Sequence, residues 1–136
     1  MQPSQLTPSG DSPPTEIRLR RRSRVVEVAF ADGIRYALTF EYLRTHSPSA
    51  EVQGHGPGQD VLQIAKEQVQ LKAVEPVGHY AVRLVFDDGH DTGLYTWKYL
   101  RELGRDFDAK WARYLQRLDG IGYIRKPPAP ALRPTE

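Results

Sequence analysis

The 136-residue chain carries 19 basic and 17 acidic residues, a formal net charge of +2, with 39% hydrophobic residues and no cysteine. That length suits one domain around a single modest core, and so slight a charge imbalance argues against nucleic acid as a partner. The missing thiols exclude disulfides, thiolate zinc sites, cysteine-ligated iron–sulfur clusters and cysteine nucleophiles. Met1 to Glu16 holds no apolar core of signal-peptide length, and no run approaches the ~20 apolar residues of a membrane span. The expectation is a cytoplasmic protein with no membrane segment. Residues 1–14 and the Pro-rich residues 120–136 are expected to be flexible tails around a domain over 15–119, because apolar side chains are too sparse there to offset ordering entropy.

In chain order, Ile17 and Leu19 alternate with arginines, and Val26, Val28 and Phe30 alternate with Glu27 and Ala29, the two-residue period of half-buried strands. Asp32-Gly33 marks a hairpin turn, after which Ile34, Tyr36 and Leu38 continue the alternation. Thr39 is placed to cap a short helix over Phe40 to Arg44, followed by a loop containing Ser47-Pro48-Ser49. Val69, Leu71, Ala73 and Val74 suggest a strand ending in a Glu75-Pro76-Val77-Gly78 turn. The first unit then recurs: strand Tyr80 to Phe86, turn Asp88-Gly89, return strand Thr92 to Tyr95, helix cap Thr96. Phe30-Ala31-Asp32-Gly33 aligns with Phe86-Asp87-Asp88-Gly89, and Tyr42-Leu43-Arg44 with Tyr99-Leu100-Arg101 after one inserted residue, so the chain reads as either duplicated or coincidentally similar. Trp97, Leu100, Leu103, Phe107, Trp111, Leu115 and Leu118 recur at helical spacing, with Gly104 expected to interrupt the run and Asp106 to restart it. The expected fold class is α+β, a mainly antiparallel sheet of hairpins with the C-terminal helices packed on one face.

Several residues qualify as candidate sites. Asp87-Asp88-Gly89-His90-Asp91 places carboxylates and an imidazole at one turn, a donor mix suited to zinc or non-haem iron, although turns favour Asp and Gly for conformational reasons alone. His46 and His55 flank the loop Ser47 to Gly58, whose Gly54-His55-Gly56-Pro57-Gly58 stretch is either a cradle or an ordinary surface loop; Gln59-Asp60 rules out a Walker loop. His79, beside Gly78, reads as a turn or sheet-edge residue. Arg18, Arg20, Arg21, Arg22 and Arg24 could contact phosphates or an acidic partner, or discourage pairing at a sheet edge. No interleaved aromatics supply base stacking. No serine lies in a nucleophile-elbow context and Asp87 and Asp88 are adjacent in sequence, so no assembled active site is expected.

The stretches Val26 to Gly33, Tyr42 to Gly58 (with His46-Ser47-Pro48-Ser49-Ala50-Glu51) and Glu75 to Trp97 (with Phe86-Asp87-Asp88-Gly89-His90), together with Trp111 and Tyr114-Leu115, resemble the bacterial domain of unknown function 971. That domain is similar to the N-terminal domain of gamma-butyrobetaine hydroxylase. The resemblance implies a domain that does not itself carry the oxygenase chemistry and that holds zinc through a Cys-Pro-Cys-x-x-Cys loop and a distant histidine. Here the histidine matches His90, while the thiol positions fall on Ser47, Ser49 and Val52. The resemblance therefore implies a lost zinc site, with a replacement zinc or iron site conceivable from His46, Glu51, His55 and His90. It further implies a binding or adaptor role in metal-cofactor handling, with an Mrp-type iron–sulfur carrier ATPase or an oxygenase as protein partner. The partner-facing residues expected are Ser47, Ser49, Gly54, Gly56 and Asp88, with Arg20, Arg21 and Arg22 for an anionic partner.

Overall fold

The computed structural model describes residues 12–127. The expected N-terminal tail over 1–14 lies mostly outside these residues, as does the 128–136 part of the C-terminal one.

The first half folds as β1 (Glu16–Arg20), β2 (Val25–Ala29) and β3 (Arg35–Thr39), an antiparallel sheet in the order β1-β2-β3. Val28 sits opposite both Ile17 and Tyr36, so alternate positions share a face, and Val26 and Val28 are 3% and 1% exposed. Next come α1 (Phe40–Thr45) and the one-turn α2 (Ala50–Gln53). The second half repeats the plan with β4 (Leu71–Val77), β5 (Ala81–Phe86), β6 (Leu94–Thr96), α3 (Trp97–Arg105) and α4 (Phe107–Gly120). The strands β4-β5-β6 form a second antiparallel sheet. One core unites the halves, drawing on Val26, Val28 and Phe30 as well as Leu71, Leu84, Phe86 and Tyr95. The fold is α+β with antiparallel hairpins and C-terminal helices, divided into two sheets rather than one.

The duplication extends to the hydrogen bonds. In each turn the first-strand Phe N–H donates across it, Phe30 to Ile34 O (2.9 Å) and Phe86 to His90 O (3.0 Å). The turn aspartate accepts from the N–H two residues on, Asp32 from Ile34 (3.2 Å) and Asp88 from His90 (3.1 Å). Thr39 and Thr96 each cap their helix by accepting from the third residue on, Tyr42 N and Tyr99 N, both at 3.1 Å. The units then interlock reciprocally. Tyr42 donates to Leu103 O (2.7 Å) while its counterpart Tyr99 donates to His46 O (2.6 Å). Arg44 pairs with Asp88 of the second turn (2.9 Å), and its counterpart Arg101 pairs with Asp32 of the first. This pseudo-twofold exchange favours duplication over coincidence.

Four local expectations need correction. The strand β4 continues through Glu75-Pro76-Val77, with Pro76 opposite Val82, and the turn falls at Gly78-His79-Tyr80, where Gly78 has φ 54°. The return strand starts at Leu94, after Arg83 has drawn in Asp91 O (3.2 Å). The stretch Ser47 to Gly58 is not wholly loop, because Ser49 caps α2 by accepting from Glu51 N at 3.2 Å. Gly104 does not break its helix: it lies inside α3, and a Cβ there would stand 2.3 Å from the Tyr36 ring, so its role is close approach to β3.

Residues 123–126, within the expected C-terminal tail, are held against the domain. Tyr123 donates to Glu67 (2.6 Å), Lys126 N–H donates to the same carboxylate (2.7 Å), and Arg125 clamps Glu41 while lying over Trp111. Glu41 and Glu67 are 7% and 5% exposed, so these donors satisfy carboxylates that would otherwise be buried and uncompensated.

Candidate functional site

The loop after α1 and the second hairpin turn meet through polar contacts, the Ser47–His90 one buried. Ser47 Oγ lies 2.8 Å from His90 Nε2, and His90 Nδ1 lies 2.9 Å from Glu51 Oε1. Ser49 Oγ is 2.7 Å from Thr92 Oγ1, and Gln53 donates to Ser47 O at 2.8 Å. Beneath them Asp88 receives Arg44 (2.9 Å) and Lys66 (2.7 Å). Burial raises the Asp88 carboxyl, but Lys66, the His90 N–H and Arg44 together outweigh it and hold the group near 2. His90 is lowered, first by burial and then by the nearby Arg44 charge, with Glu51 and Asp88 opposing. A neutral imidazole offers one donor and one acceptor nitrogen, matching a Ser47 hydroxyl on one side and a carboxylate on the other.

Serine, histidine and carboxylate thus stand in the connectivity of a hydrolase triad, which the sequence did not reveal because Ser47 and His90 are 43 residues apart. Catalysis needs a substrate carbon within about 3–3.5 Å of the nucleophile. Ser47 is fully buried, its hydroxyl also accepts from Ser49 N (3.2 Å), and Gly93 packs so tightly that a Cβ there would come within 2.5 Å of Ser47 Oγ. The arrangement is a clasp closing the loop onto the turn, and no substrate reaches its serine.

The zinc that the resemblance implies does not fit these residues. Both ring nitrogens of His90 are engaged, the flanking positions offer neutral hydroxyls, and Val52, itself buried, offers no donor. The replacement set is not assembled either. His90 and Glu51 are in contact, but His46 turns away to pack on Tyr42 and Tyr114, and His55 is exposed on the outer loop. Among the described residues no group of three or more His, Asp or Glu side chains is placed to hold a metal ion.

The expected partner-facing residues also divide. Ser47 and Ser49 are buried in the clasp and are not available to a partner, and Asp88 is committed to Arg44 and Lys66. Gly54 (φ 75°) makes the close turn of the loop, where a Cβ would collide with Gln59 O, whereas Gly56 faces open space. Arg20 pairs with Glu27 (3.1 Å), and Arg21 donates to Leu71 O (2.7 Å) and Lys72 O (3.0 Å), stitching the first hairpin to β4. Arg21 and Arg22 are both exposed in the turn. The expected arginine surface is thus largely spent on internal contacts.

On the other side of the loop lies a cleft of about 520 Å³ between residues 45–63 and the α3–α4 pair. His46 and Tyr114 form part of its wall; burial, assisted by Lys110 and Arg113, lowers His46 to about 4, so the ring is neutral. Lys110, Arg113 and Arg117 line the α4 side. Sequence reasoning missed this cleft; its one local signal was the i, i+3, i+7 spacing of those cations on a helix.

A model of the family described as gamma-butyrobetaine hydroxylase-like, N-terminal, matches residues 17–101. Two NMR solution structures are similar at 46% and 45% identity, covering 90% and 96% of this chain and 96% and 98% of theirs, each with a TM-score of 0.74. A crystal structure from Acidithiobacillus ferrooxidans, of a protein with unknown function in the domain of unknown function 971 family, is 46% identical over 71% of this chain and 98% of that one, with a TM-score of 0.57. No curated protein matches the chain. No helix among the described residues is long and apolar enough to cross a membrane. The duplicated hairpin-and-helix units, the Ser47–His90 juxtaposition and the match across 17–101 lead to one assignment: the chain belongs to the gamma-butyrobetaine hydroxylase-like N-terminal family.

Proposed function

We propose that the chain is a non-catalytic binding or adaptor domain that engages a protein partner through the outer crest of the loop between α2 and β4. One observation carries this reading: the segment that leads through α2 into the loop is clasped to the second turn by the Ser47–His90 contact at 2.8 Å, while Val61 and Ile64 of the loop remain 54% and 44% exposed. A side chain held outward on a fixed base enters an interface with little ordering cost, and branched aliphatics gain from burial there. Lys66 ties the loop to the turn through Asp88 at 2.7 Å.

The role in metal-cofactor handling that the family resemblance implies makes an Mrp-type iron–sulfur carrier ATPase from the same genome the first partner to test, and an oxygenase the second. Binding is measured by biolayer interferometry with each partner immobilised. The reading expects Val61→Asp/Ile64→Asp to weaken binding by at least ~10-fold, about 1.4 kcal/mol, with an unchanged far-ultraviolet spectrum. Equal binding by wild type and variant would refute the crest as the docking surface.

A further inference from the structure

Beyond protein docking, we propose that the cleft beside α4 is a binding site for a small monoanionic carboxylate with an apolar or aromatic body. Its volume, about 520 Å³, lies in the range of small-molecule sites. Three cations and two carboxylates line it, leaving one positive charge in excess. Two cations are already matched: Arg117 holds Asp60 at 2.6 Å and Lys110 reaches Glu102 at 3.4 Å. Arg113, one helical turn from each, has no hydrogen bond or ion pair among the described residues, yet it lines the cleft near enough to perturb both His46 and Asp60.

The chemistry of that guanidinium selects the ligand class. A planar guanidinium presents a two-pronged donor edge that matches a carboxylate. A dianion such as phosphate would bring a second charge toward Asp60 and Glu102, which one surplus cation does not offset. His46 is uncharged near neutral pH, so among the described residues Arg113 is the cation of the cleft left to meet an anion. The rest of the lining suits the other end of such a ligand: Tyr99, Pro48 and Leu62, each only partly buried, offer aromatic and aliphatic surface.

The test is a nuclear magnetic resonance titration of the full chain with benzoate, and in parallel with inorganic phosphate, at pH 7.5 and fixed ionic strength. The expected result is saturable benzoate-induced shifts at His46, Gln53 and Arg113, and at least ~10-fold weaker phosphate binding. Arg113→Gln should weaken benzoate by at least ~10-fold and leave thermal stability nearly unchanged, because Arg113 makes no hydrogen bond or ion pair among the described residues. Tyr114→Phe, which keeps the ring, should retain benzoate binding. Non-saturating shifts, phosphate binding as tight as benzoate, or an Arg113→Gln variant that binds like wild type would each overturn the assignment. Val61 also lines the cleft whereas Ile64 does not, so Ile64→Asp alone against an immobilised protein and Arg113→Gln against benzoate let either reading fail without the other.

Discussion

The clasp between the loop and the second turn makes a quantitative prediction through a double-mutant cycle on Ser47 and His90. Ser47→Ala deletes a hydroxyl from a site with no solvent exposure and leaves His90 Nε2 without its 2.8 Å partner. An unsatisfied buried polar atom costs roughly 1–3 kcal/mol. His90→Ala strands the hydroxyl in turn and opens a void beside Phe86, whose ring centre lies 6.2 Å from the imidazole, for an expected loss of about 2–4 kcal/mol. Glu51 adds little to this cost, since its side chain is 62% exposed and rehydrates. The double variant should lose less than the sum of the singles by about 1 kcal/mol, the coupling expected of groups in direct contact. Urea unfolding followed by the fluorescence of Trp97 and Trp111 measures all four species. Additivity within about 0.3 kcal/mol would show that the Ser47–His90 contact contributes nothing to the fold and would remove the clasp from the argument.

Acidification should weaken the domain through its histidines. His46 titrates near 4 in the folded chain against about 6.5 unfolded, so below about 6.5 the unfolded state binds the extra proton and stability falls until about 4. The loss reaches at most about 3 kcal/mol by linkage; His90, lowered as well, acts in the same direction, and urea midpoints flat between pH 7 and 4 would contradict both. Gly104→Ala should destabilise despite the better helix propensity of alanine, by about 1–3 kcal/mol from overpacking on Tyr36, whereas Gly104→Ala with Tyr36→Ala should recover part of it in a thermal melt. Arg125→Ala should cost about 3–5 kcal/mol because it strands Glu41, whose side chain is 8% exposed; Glu41→Gln/Arg125→Ala should cost less, as measured by urea unfolding. Arg44→Ala should exceed Arg101→Ala in cost, because Arg44 is 8% exposed and binds Asp88 and Gln63 while Arg101 is 22% exposed, and equal urea midpoints would negate the difference.

The two hairpin-and-helix units were legible because their determinants are local. Asp32-Gly33 and Asp88-Gly89 make their turns through backbone conformation and an aspartate bond two residues away, and Thr39 and Thr96 cap within one helical turn. The family could be read from the short motifs around Ser47 and His90, and the same motifs matched the histidine with the lost thiol positions. What the residues in between did became visible only in three dimensions. Arg44 and Arg101 look alike in sequence, but that each reaches the other unit's turn depends on how the halves pack. Gly104 reads as a helix breaker until the Tyr36 ring fills the space of its missing side chain, and Arg21 reads as a charge awaiting an anion until β4 presents two carbonyls to it. Tertiary structure also buried Ser47, which turned a triad's connectivity into a clasp, and brought 45–63 against α4 to make the cleft. Local sequence determines conformations whose energies are settled within a few residues; burial, charge pairing and cavities depend on which distant segments exclude water from one another, and only the folded chain decides that.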